Sequence, residues 1–149
     1  MKKLWAFLLF ASLFLGLSNS SVAQENYGNA LNGFVKFGEN FAVSGHYEFQ
    51  VANNITVSPA ATIAFGDDSW IGLGGRADYY FDSLFKLNEP WDIWGGVDAG
   101  FLVNYDSGDD FSVNIHAGVE YKFSEMWGII AEFGGGTNSS GGIGVGIHF

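Results

Sequence analysis

Polar and apolar positions alternate along most of this chain. The clearest stretch is Phe111–Phe123. There every odd-numbered residue (Phe111, Val113, Ile115, Ala117, Val119, Tyr121, Phe123) is apolar or aromatic, and every even-numbered one (Ser112, Asn114, His116, Gly118, Glu120, Lys122) is polar or glycine. A period of two predicts an extended strand with two unlike faces, whereas helical spacing would mix the classes on every face. The stretch is long for a strand and close to the length that crosses a bilayer at a tilt. Seven further segments alternate in the same way, at about 30–37, 41–51, 55–65, 70–81, 91–105, 127–134 and 142–149. All but one of the connections are short, as antiparallel hairpins require; the exception is Asp82–Pro90. The pattern predicts an all-β fold, an eight-stranded antiparallel up-and-down barrel with no helix of useful length.

Volume decides which face points in. The apolar face carries Val43, Tyr47, Phe49, Leu73, Tyr79, Trp91, Val97, Phe101, Ile129, Phe133 and Ile147, while the other is rich in small residues such as Gly72, Gly74, Gly96, Gly100, Gly118 and Gly144. An eight-stranded interior is only just wide enough for side chains, so the bulky face is expected outside, toward lipid, and the barrel is expected to be transmembrane. Tyr47, Phe49, Tyr79, Phe81, Trp91, Tyr121, Phe123, Trp127 and Phe149 all fall near the turns at one end, as an interfacial aromatic girdle would. Pro59 sits inside the third strand, where it removes a ladder donor.

Met1–Ala23 reads as a secretory signal peptide: Lys2 and Lys3, the apolar run Leu4–Leu17, and Ser21-Val22-Ala23 before Gln24. Residues 24–149 are then one barrel domain. Without Lys2 and Lys3, its bases are Lys36, Arg76, Lys86 and Lys122, against sixteen acids. That balance argues against nucleic acid as a partner. There is no cysteine, so neither a disulfide nor a lipid-bearing cysteine is expected.

The stretch from Ala117 to Phe133, Ala-Gly-Val-Glu-Tyr-Lys-Phe-Ser-Glu-Met-Trp-Gly-Ile-Ile-Ala-Glu-Phe, resembles the strand–periplasmic turn–strand unit of small bacterial outer-membrane barrels of the OmpA/OmpX-like, porin-like type. Ile143-Gly-Val-Gly-Ile-His-Phe149 is similar to their C-terminal strand. The resemblance implies a Gram-negative outer-membrane location and makes Phe149 the terminal aromatic of a signal read by the outer-membrane assembly machinery. Lipid and that machinery are the expected partners, and the barrel is expected to be a monomer. It also implies that the turns after Val51, Phe81 and Phe123 are periplasmic and those after Phe37, Phe65, Tyr105 and Gly134 extracellular. Those outer loops are short for the type, which argues against a loop-mediated adhesin. With nothing after Phe149, the peptidoglycan-binding domain of full OmpA proteins is expected to be absent.

Chemistry-bearing residues fall on the inward face. A polar network filling the lumen is the leading expectation, drawn from Arg76, Asp98, Glu120, Glu132, Lys122, Glu48, His46 and His116, since isolated buried charges are costly. Similar heights suggest Arg76 as the central cation, bridging carboxylates chosen from Asp98, Glu120 and Glu132. The inward bases Lys36, Arg76 and Lys122 face six carboxylates (Glu48, Asp78, Asp92, Asp98, Glu120, Glu132), an excess that favours a small cation-preferring pore. A ligand-binding or lipid-modifying barrel is the alternative. Ser44, His46 and Glu48 have the residue types of a catalytic triad, but residues two apart on a strand are ~7 Å apart, too far for direct proton transfer. His46, His116 and His148 lack metal-ligand spacing, so no metal, cofactor or enzymatic activity is expected.

Overall fold

The structure is a computed structural model, and it describes residues 26–38, 40–67, 69–104, 108–137 and 140–149, with side chains omitted at 104, 108–110 and 140. The proposed leader lies outside the described residues. Eight strands form: β1 (Ala30–Gly38), β2 (Phe41–Ala52), β3 (Ile55–Phe65), β4 (Trp70–Tyr80), β5 (Trp91–Asn104), β6 (Gly108–Lys122), β7 (Trp127–Gly136) and β8 (Ser140–His148). Each pairs antiparallel with its sequence neighbour, and β1 pairs with β8 from Ala30↔His148 to Gly38↔Ser140, closing the barrel in the order β1 to β8. The expected architecture is the observed one.

Two details differ from the alternation. β6 begins at Gly108 rather than Phe111, because Asp109 and Asp110 continue the ladder opposite Val103 and Leu102. The connection 82–90 contains one helical turn, α1 (Asp82–Phe85). Asp82 accepts a 2.8 Å hydrogen bond from the Ile93 amide at the start of β5, tying α1 down, and burial pushes its carboxyl up from the ordinary value. Leu84 and Phe85 remain exposed.

Pro59 has the expected effect on one side only. β3 pairs continuously with β4 through Pro59↔Gly75, but its ladder with β2 breaks between His46↔Ala60 and Phe49↔Val57.

The bulky face points outward. Phe133 is 70% exposed and Ile115 66%, whereas Arg76 and Glu132 on the inner face are 7% and 4% exposed. At the end where β1 starts, β8 ends and α1 sits (the terminus end), outward aromatics pair as Tyr47–Phe49, Tyr79–Phe81 and Trp91–Tyr121. A second ring at the opposite, loop end adds Phe37–Phe41–Phe65 and Phe101–Phe111. Trp91 and Phe101 bound β5's outer face ten residues apart. That is about 33 Å of strand at ~3.3 Å per residue, or about 25 Å along the axis at ~40° tilt, the height of a membrane barrel's apolar band.

Candidate functional site

The interior is built in three layers. At mid-height Arg76 (β4) gathers the polar network. Its Nε donates to Asp78 Oδ2 at 2.8 Å and its Nη2 to Asp78 Oδ1 at 3.1 Å. Nη2 also donates to Glu132 Oε2 on β7 at 2.7 Å. Nη1 lies 3.5 Å from His46 Nδ1 and Nη2 2.8 Å from His116 Nε2. Arg76 is the central cation, as its height on β4 suggests. Of its three candidate partners only Glu132 reaches it. Its second carboxylate is Asp78, two residues along the same strand and on the same face, gripped by two guanidinium nitrogens.

Asp98 is the register partner of Arg76, yet its carboxylate turns to β6, accepting from Asn114 Nδ2 at 2.8 Å and meeting His116 Nδ1 at 3.2 Å. His116 Nε2 lies 2.5 Å from Asp78 Oδ1. Both ring nitrogens thus face carboxylates, and Nε2 also faces the Arg76 guanidinium. Gly96 makes this contact possible: a Cβ there would sit 2.2 Å from Asp78 Oδ1 and 2.7 Å from His116 Nε2. Lys36 on β1 approaches Glu132 Oε1 at 3.4 Å.

Glu120 turns to the terminus end, where His148 Nε2 lies 2.9 Å from its Oε1. Lys122 pairs there with Asp92 at 2.8 Å and with Glu89 at 3.4 Å. Among the described residues Glu48 is paired with no cation. Its oxygens accept from the Thr56 hydroxyl at 2.5 Å, the Tyr80 hydroxyl at 2.7 Å and Asn32 Nδ2 at 3.0 Å. The surplus of inward carboxylates over Lys and Arg is met by histidine rings and, at Glu48, by neutral donors.

His46 stacks on Phe34 and meets Asn32 Nδ2 at 3.0 Å. Its ring nitrogens are directed at Asn32 and Arg76, not at Ser44 or Glu48, so the three triad-like residues form no proton relay.

The bottom layer, at the terminus end, is aromatic. Tyr27 stacks on Tyr80 with centroids 4.1 Å apart, and Tyr80 meets Trp94 at 5.7 Å; Ile130 and, higher up against His46, Phe34 belong to the same buried cluster. Strand alternation did not single out Tyr27, Phe34, Trp94 or Ile130 as interior. Trp94 had a signal in its register partner Gly118, where a Cβ would meet the indole at 2.4 Å. Around Asn32, Glu48, Arg76, Tyr80, Trp94 and Ile130 no space the size of a water remains.

The top layer, at the loop end, is open. A cavity of about 120 Å³ sits above the Arg76 network, with Trp70 near its mouth and Lys36, Asp98, Asn114, His116 and Glu132 at its polar floor and walls. Among the described residues, no cluster of His, Asp and Glu is arranged to hold a metal ion.

No protein-family model matches the chain, and no curated protein matches it. Solved structures do. The N-terminal β-barrel domain of Pseudomonas aeruginosa OprF aligns with a TM-score of 0.61 at 19% identity, over 82% of this chain and 98% of that one. A structure from the de novo design of transmembrane β-barrels aligns at 0.58 and 20% identity, over 83% and 98%. Neisserial surface protein A aligns at 0.57 and 14% identity, over 80% and 94%. At these identities the likeness concerns the fold, and the fold of this chain is that of the small eight-stranded outer-membrane barrels.

Proposed function

We propose that this protein is a non-enzymatic structural barrel of the outer membrane, exported by cleavage of the leader Met1–Ala23 and closed across its lumen at rest. The outward band of exposed apolar side chains between two aromatic rings carries this reading, because such a surface is matched by lipid and aggregates in water. The loop end faces outward, and α1 and both strand termini face the periplasm. Lipid and the assembly machinery are its partners, and the barrel acts as a monomer. The packed aromatic layer and the Arg76 ion pairs support a closed lumen. A small cation-preferring pore is the second reading. It is favoured by the loop-end cavity and by the partly exposed Asp98 carboxylate, and it requires the Arg76 network to open.

Refolded in detergent and run on a gel, unheated and boiled protein should migrate differently, and circular dichroism should show strand with little helix. Recovery of the mature chain as a water-soluble periplasmic monomer would sink the proposal. The end of the chain offers a separate test. Phe149 is 72% exposed, and its amide donates to Asn29 O at 3.0 Å beside the start of β1. Deleting Phe149 should lower outer-membrane levels several-fold and raise periplasmic degradation. Unchanged levels under stringent expression would remove Phe149 from the assembly signal.

A further inference from the structure

The loop-end cavity carries two opposite charges that do not meet. We propose that it binds a small zwitterion, a molecule bearing an ammonium and a carboxylate a few atoms apart. Lys36 lies on β1 and Asp98 on β5, which stand opposite one another in the closed ring, and both side chains line the cavity. They are the open members of the network: their side chains are 22% and 33% exposed, against 2–5% for Arg76, Asp78 and Glu132.

Neither charge is saturated. Among the described residues the acid paired with the Lys36 ammonium is Glu132, at 3.4 Å, longer than the ~2.7–2.9 Å of a charge-assisted hydrogen bond. Glu132 does not come closer because Arg76 holds it at 2.7 Å. The ammonium also sits 5.7 Å from the Phe34 ring, a contact that uses none of its three donors. Asp98 accepts one bond at each oxygen, from Asn114 and His116, and a carboxylate offers about four acceptor sites. A ligand carboxylate on Lys36 and a ligand ammonium on Asp98 would complete both sets.

The walls set the size. Ala42, Ala60, Gly72 and Gly100 face the space and keep it open, and its volume of about 120 Å³ is several times the ~10–15 Å³ that holds one water. A short aliphatic amino acid is of that order. An ion of single charge would satisfy one wall and displace water from the other, leaving that charge with only the protein partners it already has. The site therefore selects for two charges on one molecule. It depends on the open loop-end cavity and not on conduction, so a barrel that passes no current can still bind.

The test uses the refolded mature barrel in detergent micelles, titrated separately with glycine, β-alanine, 4-aminobutyrate, acetate and methylammonium while backbone amide shifts are followed. One of the three zwitterions should bind at least about tenfold more tightly than acetate or methylammonium, a gap that ~1.4 kcal/mol supplies, with shifts centred on β1 and β5 at the loop end. Lys36→Met and Asp98→Asn should each weaken that binding about tenfold while the barrel stays heat-modifiable. The charge-swapped double variant Lys36→Asp/Asp98→Lys should regain it with the ligand reversed. Equal or absent binding of zwitterions and single-charge ions to the unaltered barrel overturns the proposal without recourse to any variant. Unchanged binding in the folded single variants overturns it as well.

Discussion

Replacing Arg76 with alanine is expected to lower the stability of the folded barrel by about 3–5 kcal/mol, the usual cost of leaving a buried charge without its partner. The side chain is 5% exposed and is the cation shared by Asp78 on its own strand and Glu132 on β7. Its loss leaves those two carboxylates with Lys36, at 3.4 Å from Glu132, and His116, at 2.5 Å from Asp78. The unfolding midpoint in urea, read from the heat-modifiable gel shift, measures the effect. A companion variant separates charge from bulk. Arg76→Met keeps much of the volume and should be nearly as unstable as alanine if the charge matters most. Planar-bilayer recordings of Arg76→Ala test the pore reading, in which removing the central cation raises cation conductance. A variant as stable as the parent would mean that Arg76 does not hold the interior together.

Trp94→Ala should cost a comparable ~3–5 kcal/mol through the cavity it leaves. Gly118→Ala should cost about 1–3 kcal/mol for the opposite reason, since the added methyl is forced against the indole. The two residues are register partners and in contact, so the variants should not be additive. In the background of Trp94→Ala, the Gly118→Ala change should become close to neutral, because the space it enters is vacant. A double-mutant cycle on unfolding midpoints measures this. A penalty for Gly118→Ala that survives removal of Trp94 would show that it arises from backbone strain in β6.

The contrast between these sites shows what a period of two can carry. Alternation assigns each residue to a face, and that sufficed for eight strands, the closed antiparallel order and an outward apolar band. It also sufficed for the inward placement of Arg76, Glu132, Glu48 and His116. It does not say which neighbour a long side chain chooses. Asp98 sits directly across from Arg76 in the ladder but turns to Asn114 and His116, while Asp78 folds back along its own strand to take the arginine. Nor does alternation flag an apolar residue on the polar face. Trp94 follows Ile93 and Ile130 follows Ile129, so each reads as a break in the pattern, although each is buried in the lumen. The legible trace was the glycine opposite, and reading it requires the register, which is a long-range property. Tyr27 precedes the first strand altogether and reaches the lumen only because the chain there folds under Tyr80.

The pairing of β1 with β8 has a consequence for how the molecule comes into being. Strands β2 to β7 find both neighbours nearby in the chain, but the first strand and the last must find each other. Until β8 arrives, a nascent chain presents two raw sheet edges whose amides and carbonyls lack partners, which is both a cost in lipid and an invitation to pair with another copy. The interior obeys the same timetable: Lys36 on β1 meets Glu132 on β7, and His148 on β8 is what faces Glu120. The ring can therefore close only once the whole chain is at hand, and a chain cut short before β8 keeps its edge on β1 unpaired.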